Sequence, residues 1–383
     1  MRVAAYHNLM HGGAYRAAME QFTRLGDCVT DIYTNSDTSC SIAAKVHYYP
    51  VKLRRIFHSP FGRLNGLVNI HNLAEMAKSC RQIAADIDAG GYDVVFARIC
   101  RITQTPALLR FLKTPVVYYA DEPFRAMHEA LLAGGPHPSY KDPARMLYTR
   151  AAVQNEYAAL TSANTVLCNS YYTREYMLST YGVNAKVNYL GIDSALFHPT
   201  GQEKQNYVLS VGRLSMLKGH EFIIESLARI DECNRPRLHI VYAPYDPYEA
   251  ELCAKAEALG VRITFHSDIT DDSLVGLYNS AICTVYAPVL EPFGLVPLES
   301  MSCGTPVVGI CEGGVRETIT HGVDGFLAER DPDEFGGYVE RLVRDPDLAD
   351  SMGKAGRESV ANNWSWDKSI AQLRSILEDA AGL

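Results

Sequence analysis

Ile282-Cys283-Thr284-Val285-Tyr286-Ala287-Pro288-Val289-Leu290-Glu291-Pro292-Phe293-Gly294-Leu295-Val296-Pro297-Leu298-Glu299, followed after three intervening residues by Cys303-Gly304-Thr305-Pro306-Val307-Val308, reads as one repeat of a parallel sheet. The apolar run 282–286 has the length and β-branched content of a buried strand, and Pro306-Val307-Val308-Gly309 reads as the next one. Between them a helix starts near Gly294, and Pro297 fits its first turn, where a missing N–H removes no intrahelical bond. Glu291, beyond the Ala287-Pro288 turn, falls in the loop at the carboxyl end of the first strand.

The same alternation extends in both directions. Upstream in this half, strands are expected at Tyr207–Val211, Leu238–Tyr242 and Ile263–Phe265. In the N-terminal half they are expected at Val3–Tyr6, Asp93–Phe96, Pro115–Tyr119 and Thr165–Cys168, with helices over Asn72–Ala89 and Arg150–Ser162. Strands alternating with longer helical patterns are the signature of βαβ units. A chain of 383 residues exceeds what one core organises, so two α/β domains are expected. The stretch Gly191–Gly201, rich in Pro, Gly and polar residues, reads as the linker between them. Two doubly wound, Rossmann-like domains would leave an interdomain cleft at the carboxyl ends of their strands, where ligands bind.

Hydrophobic residues make up 47% and charged residues 21%, a globular composition. A net charge of −8 argues against nucleic acid as a partner. The N-terminus has no apolar signal region, and no stretch approaches the roughly 20 apolar residues of a membrane span, so a cytoplasmic protein is expected. The 10 cysteines show no C-x-x-C pair or zinc-ligand spacing and read as free thiols of the core.

Three motifs carry chemistry. His11-Gly12-Gly13-Ala14 follows the first strand, where glycines let the backbone approach a phosphate at a helix N-terminus; a plain tight turn reads equally well. Val211-Gly212-Arg213-Leu214-Ser215-Met216-Leu217-Lys218-Gly219 follows the first strand of the second domain. There Arg213 and Lys218 could hold a diphosphate from two sides, or be solvated surface charges. In the third motif the amides of Phe293, Gly294 and Leu295 would face an anion at the positive end of their helix. Glu291 and Glu299 would accept hydrogen bonds from sugar and ribose hydroxyls.

Glu291 and Glu299, with seven residues between them, resemble the E-x7-E signature of retaining glycosyltransferases of the GT-B fold, family 4 type. Agreeing stretches are Gly12-Gly13, Gly212-Arg213 with Lys218-Gly219, Asn169-Ser170, Leu190-Gly191-Ile192-Asp193 with Phe197 and Pro199, and Gly313-Gly314 with Glu317. Trp364-Ser365-Trp366 and the last helix resemble the family's C-terminal segment, which returns to the first domain. The resemblance implies domains over 1–192 and 193–363 with a returning helix over 364–383. It implies a nucleotide-sugar donor, UDP- rather than GDP-linked, a hexose-type sugar, retention at the anomeric carbon, and no metal cofactor. Gly13 would contact the donor phosphate, Arg213 and Lys218 the leaving diphosphate, Glu291 and the Phe293-Gly294 amides the sugar, Leu295 the phosphate, and Glu299 the ribose. Backbone around His266 to Ile269 would select the base.

One position departs from that pattern. In Tyr118-Tyr119-Ala120-Asp121-Glu122-Pro123-Phe124-Arg125, Asp121 stands where the family has an active-site histidine. Altered donor or acceptor chemistry, loss of transferase activity, or an alignment offset of a residue or two would each account for it. As a site residue Asp121 would need a cation, from Arg213, Lys218 or the acceptor, to offset its charge near a diphosphate. Asp86-Ile87-Asp88 imitates a metal-binding D-x-D but lies in a helical pattern and reads as solvated helix surface. Lys52-Leu53-Arg54-Arg55-Ile56-Phe57-His58, with Arg63, reads as a solvated loop, with an acceptor loop or weak contact to an anionic membrane surface as the other reading. The acceptor, whether small molecule, glycan or lipid-linked, is not specified. Other enzymes of similar architecture, a nucleotide-sugar epimerase or a phosphorylase, and a non-catalytic sugar-nucleotide-binding protein are the alternatives.

Overall fold

A computed structural model of the chain describes residues 1–10, 12–37, 42, 44–56, 64–122, 143–242 and 248–383. Within them two sheets form, both parallel throughout. The first runs β3-β2-β1-β4-β5-β6-β7, with β1 Val3–Asn8, β2 Val29–Thr34, β3 Lys45–Tyr48, β4 Val94–Cys100, β5 Val116–Ala120, β6 Thr165–Cys168 and β7 Lys186–Val187. The second runs β10-β9-β8-β11-β12-β13, with β8 Tyr207–Val211, β9 Arg237–Tyr242, β10 Ile263–Ser267, β11 Thr284–Tyr286, β12 Val307–Ile310 and β13 Gly325–Ala328. The helices are α1 Gly13–Leu25, α2 Asn65–Ala89, α3 Pro143–Leu160, α4 Tyr171–Tyr181, α5 His220–Ala228, α6 Glu249–Ala258, α7 Asp271–Ser280, α8 Leu295–Ser302, α9 Val315–Thr318, α10 Pro332–Arg344, α11 Pro346–Asn363 and α12 Trp366–Ala381.

The chain divides into two compact units, Met1–Tyr189 with Ile370–Leu383, and Leu190–Ser369. In each, the sheet grows outward from its first strand in one direction and then restarts on the other side. Strand order therefore reverses between β1 and β4 in the first unit and between β8 and β11 in the second. A crevice opens outside the carboxyl ends of such strands, because the connections leave in opposite directions. The strands on either side are apolar runs buried on both faces: every residue of β1, β4, β5, β11 and β12 is buried.

Several elements differ from the sequence expectation. α2 begins at Asn65 rather than Asn72, and α3 at Pro143 rather than Arg150. β2, β3, β7 and β13 were not visible in the pattern. β3 is a largely exposed edge strand and β7 has two residues, so neither shows an apolar run. β13 opens on Gly325, where a Cβ would stand 2.4 Å from the Val307 carbonyl oxygen; packing, not strand propensity, selects that residue.

The stretch read as a linker is pinned to the second unit. Ile192 donates its N–H to the Trp364 carbonyl (2.8 Å) and pairs with Ser365 in a parallel bridge. Phe197 is buried against Tyr278, and its carbonyl accepts from Ser302 Oγ at 2.6 Å. α12, whose later residues belong to the first unit, is tied there by Gln372 to Asn188 and Val187, and by Arg374 to the Leu25 carbonyl (3.1 Å) and Cys28 Sγ.

Candidate functional site

In the second unit the two strands at the reversal, β8 and β11, each lead into one of the charged loops. After β8 a single 3-10 turn, Met216–Lys218, precedes α5. Gly219 joins them at φ +71, a conformation that L side chains rarely adopt, and a Cβ there would stand 1.9 Å from the Ala287 carbonyl oxygen. Glycine therefore lets this turn lie directly on the chain leaving β11, where Val289 N–H donates to the Leu217 carbonyl at 2.8 Å. The consequence is that Lys218 Nζ donates to both carboxylate oxygens of Glu291, at 3.0 and 2.9 Å. Both side chains keep about a fifth of their surface, 20% and 24%, so the pair can be reached from solvent. A bidentate contact uses two of the three ammonium donors and leaves the carboxylate further lone pairs, one of which Tyr286 reaches.

The Glu291 loop is itself held from behind. Leu290 sits at φ +48, unusual for a residue with a Cβ. Its strain is overcome by close packing: Gly314 N–H donates to the Glu291 carbonyl at 2.8 Å, and Cβ atoms on Gly313 or Gly314 would stand 2.3 Å from the Glu291 or Pro292 carbonyl oxygens. Phe293 turns inward beside Trp364, with ring centroids 5.7 Å apart. Gly294, at φ +118, then starts α8. The first-turn amides of Leu295 and Val296 have no acceptor inside the helix, which leaves its positive end next to Glu291. Glu299, one turn on and half-buried, accepts from Tyr278 Oη at 2.7 Å.

The other expected residues of this unit lie nearby in the chain. Arg213 is exposed, and its carbonyl accepts from His220 Nε2 at 3.2 Å. His220 Nδ1 faces Ser210 Oγ at 3.1 Å, and burial lowers the imidazole pKa to about 4. A neutral His220, accepting from Ser210 and donating to Arg213, thus ties the turn to β8. Ile269 follows β10, half-buried, between Asp268 at φ +55 and the α7 cap Thr270.

Two further residues hold the site and carried no motif. Arg330 donates to the Ala287 and Pro288 carbonyls (3.2 and 2.9 Å) and to both oxygens of Glu312 (2.7 Å each), while stacking over Phe222. Glu312 in turn accepts from Leu290 N–H at 3.4 Å. This clamp fixes the carbonyls of the chain that delivers Glu291. Only an arginine placed after a strand-like Gly-Phe-Leu-Ala run signals it.

In the first unit, Gly12 caps α1 at φ +153, and a Cβ there would meet nothing within 4 Å. Gly13 is the first residue of α1. Asp121 follows β5, is 8% exposed, and its counter-ion is Arg98 of β4, a residue not singled out from the sequence. The fully buried Arg98 reaches Asp121 Oδ1 at 2.5 Å, donates to Gln21 of α1, and stacks on Tyr119 with 4.4 Å to the ring centroid. An arginine inside Val94-Val95-Phe96-Ala97-Arg98-Ile99-Cys100 was the available signal, since charged residues are rarely fully buried without a partner. Burial raises the Asp121 pKa and Arg98 opposes that; burial, reinforced by the same arginine, lowers the His7 pKa to about 4.

Asp86 and Asp88 lie in α2 and join elements: Asp86 accepts from Tyr49 Oη at 2.6 Å, and Asp88 from the Lys113 and Thr114 amides. Among the described residues no group of three or more His, Cys, Asp or Glu stands where a metal ion could be held, and the nine described cysteines are free thiols. His11, His58, Arg63 and Pro123–Arg125 fall outside the described residues.

Residues 193–359 match the protein family described as Glycosyl transferases group 1. The chain is 30% identical over 238 residues to the human alpha-1,3/1,6-mannosyltransferase ALG2, covering 55% of this chain and 57% of that protein. It is 26% identical over 400 residues to the D-inositol 3-phosphate glycosyltransferase of Thermobifida fusca, covering 96% and 89%. The chain thus spans little more than half the length of the first of these relatives. Its fold is shared with HepE of Anabaena, solved in complex with UDP-glucose, at a TM-score of 0.75 and 20% identity over 99% of this chain and 100% of that one.

Two outcomes follow from the geometry. Removing one member of the buried pair leaves the other charge uncompensated, so Asp121→Ala and Arg98→Met should each destabilise by about 3–5 kcal/mol in urea unfolding. The double variant should lose clearly less than the two together, and additivity within about 0.5 kcal/mol would show that the charges are not coupled. Arg330→Ala should raise amide exchange in a peptide spanning residues 286–294 by about tenfold, or 1.4 kcal/mol of local stability, and leave β9 unchanged. Equal acceleration in both regions would mean that Arg330 stabilises the unit as a whole.

Proposed function

We propose that the chain, whose residues 193–359 match the group 1 glycosyltransferases and which has the GT-B fold, is a member of that family and moves a hexose from a nucleoside-diphosphate sugar to an acceptor hydroxyl with retention at the anomeric carbon. The observation that carries this reading is the Lys218–Glu291 pair beside the N-terminus of α8, at the carboxyl end of the reversal strands. A nucleoside diphosphate leaves with growing negative charge on its β-phosphate. Arg213, the free valence of Lys218 and the amides opening α8 would stabilise that charge, the kind of preorganised electrostatics that lowers such barriers most. With this positive charge supplied by the protein, the reaction would need no metal ion.

In the same reading Lys218 has two tasks. It orients Glu291 before the donor arrives, and it would shift part of its hydrogen bonding to phosphate afterwards. Glu291 then accepts from sugar hydroxyls and Glu299 from the ribose diol, the latter preoriented by Tyr278. Gly12 and Gly13 of the first unit would serve the donor phosphate. A uridine base is favoured, on the strength of the UDP-glucose complex of the Anabaena protein. The Asp121–Arg98 pair presents little net charge, so an amine on the acceptor is not required to offset Asp121.

UDP should raise the melting temperature in the presence of a chelator, and raise it more than GDP at equal concentration. At 100 times its dissociation constant a nucleotide adds about 2.7 kcal/mol. A shift that appears only with manganese or magnesium contradicts the metal-free reading. Once a donor is found by sugar transfer or slow donor hydrolysis, Lys218→Ala should lower kcat at least a hundredfold, about 2.7 kcal/mol. Glu299→Ala should act mainly on KM, because ribose contacts are alike in ground and transition states.

A further inference from the structure

The first unit carries a face whose composition does not suit water alone. α2 and α3 meet at their N-terminal ends: a Cβ on Gly66 would stand 2.3 Å from the Ala144 carbonyl carbon. The extended stretch 51–56 is tied to the same end of α2, because Arg54 N–H donates to Asn72 Oδ1 (2.9 Å) and the Arg54 carbonyl accepts from Asn72 Nδ2 (3.0 Å). Around these contacts lie five exposed apolar side chains: Ile56 at 55%, Leu64 at 45%, Leu67 at 52%, Met146 at 52% and Leu147 at 55%. Leu64 and Leu67 are one turn apart, as are Leu147 and Arg150, so α2 presents a small apolar face and α3 an apolar and basic one.

The charge is equally one-sided. Residues 51–56, 64–74 and 143–155 contain Lys52, Arg54, Arg55, Arg145 and Arg150, all exposed, and not one Asp or Glu, in a chain of net charge −8. Of the acids flanking them, Glu75 is half-buried and Glu156 fully buried, while Asp142 lies outside the described residues. We propose that this face docks the protein on an anionic lipid bilayer, the leucines and methionine entering the headgroup boundary while the lysine and arginines meet lipid phosphates. Three features single out this occupant. A hydrated polyanion would use the cations but give no reason to expose five large apolar groups. A second copy related by a twofold axis would bring five cations against five. The combination of apolar and basic groups on one helical face is what an anionic interface binds. The proposal stands apart from the transfer reaction; together they would place the enzyme beside acceptors carried in a membrane.

The test is sedimentation of the full chain with vesicles of phosphatidylglycerol and phosphatidylcholine, beside vesicles of phosphatidylcholine alone. Binding is expected to the anionic vesicles and to weaken with salt. Each cation at such a surface is worth about fivefold, or about 1 kcal/mol. Arg54→Glu with Arg55→Glu should therefore lower partitioning at least 25-fold. Leu67→Ser with Met146→Ser should also reduce it at least tenfold with the cations intact. Unchanged circular dichroism and UDP-induced thermal shift in both variants would exclude misfolding. No sedimentation at low salt overturns the proposal. So does equal retention on a heparin column by the Ser variant with loss of vesicle binding in neither, which would make the face a polyanion site. So too does a concentration-dependent dimer abolished by the Ser substitutions.

Discussion

Backbone meets backbone at three glycines in the second unit, and the whole charged site depends on those contacts. Gly219 lies on the Ala287 carbonyl, and Gly313 and Gly314 lie on the Glu291–Pro292 peptides. A methyl group at any of the three would separate loops that come from β8, β11 and β12. Without that approach, Val289 could not bond to Leu217, Gly314 could not bond to Glu291, and Lys218 would not reach both oxygens of Glu291. The lysine and glutamate are thus the visible result of a packing constraint set by residues with no side chain. The strained Leu290 is tolerated for the same reason: the surrounding loops define its conformation more strongly than its own φ/ψ preference opposes it.

The ion pairs around these sites differ in kind. Lys218–Glu291 keeps a fifth of its surface, so exchanging one partner for a ligand phosphate or hydroxyl costs little desolvation. Arg330–Glu312 spends its other donors on the Ala287 and Pro288 carbonyls and acts as a strut. Arg98–Asp121 is buried almost completely, so its value lies in never being separated. This last pair changes how the unusual aspartate is understood. Its charge is answered from inside its own unit, by a residue two strand positions before the end of β4.

Legibility followed the physics of each residue. The doubly wound parallel sheets were readable because buried strands are short apolar runs between helical patterns, and β8 falls at Tyr207–Val211 as expected. The loop position of Glu291, the start of α8 after Gly294 and the place of Pro297 in its first turn were readable from turn chemistry. Strands β3 and β7 were not, because an exposed edge and a two-residue strand carry no periodicity. The Lys218–Glu291 contact joins residues 73 apart in the chain, and no local pattern encodes such a distance. Arg330, Glu312, His220 and Arg98 act through other residues and belong to no motif. Arg98 alone announced itself, as a charge in an otherwise apolar strand.

The glycines of the two units also separate two reasons for the same residue. At Gly219, Gly313 and Gly314 the space of a Cβ is already filled by protein backbone. At Gly12 that space is open, and what excludes other residues is φ +153 at the cap of α1. Packing therefore does not account for Gly12. That conformation stands at the N-terminus of α1, beyond the carboxyl end of β1, one of the two strands at the reversal of the first sheet. A helix N-terminus carries a partial positive charge, and at a switch point the strands' connections diverge. In the second unit the glycines bring backbone onto backbone; in the first, glycine supplies a conformation that other residues rarely adopt.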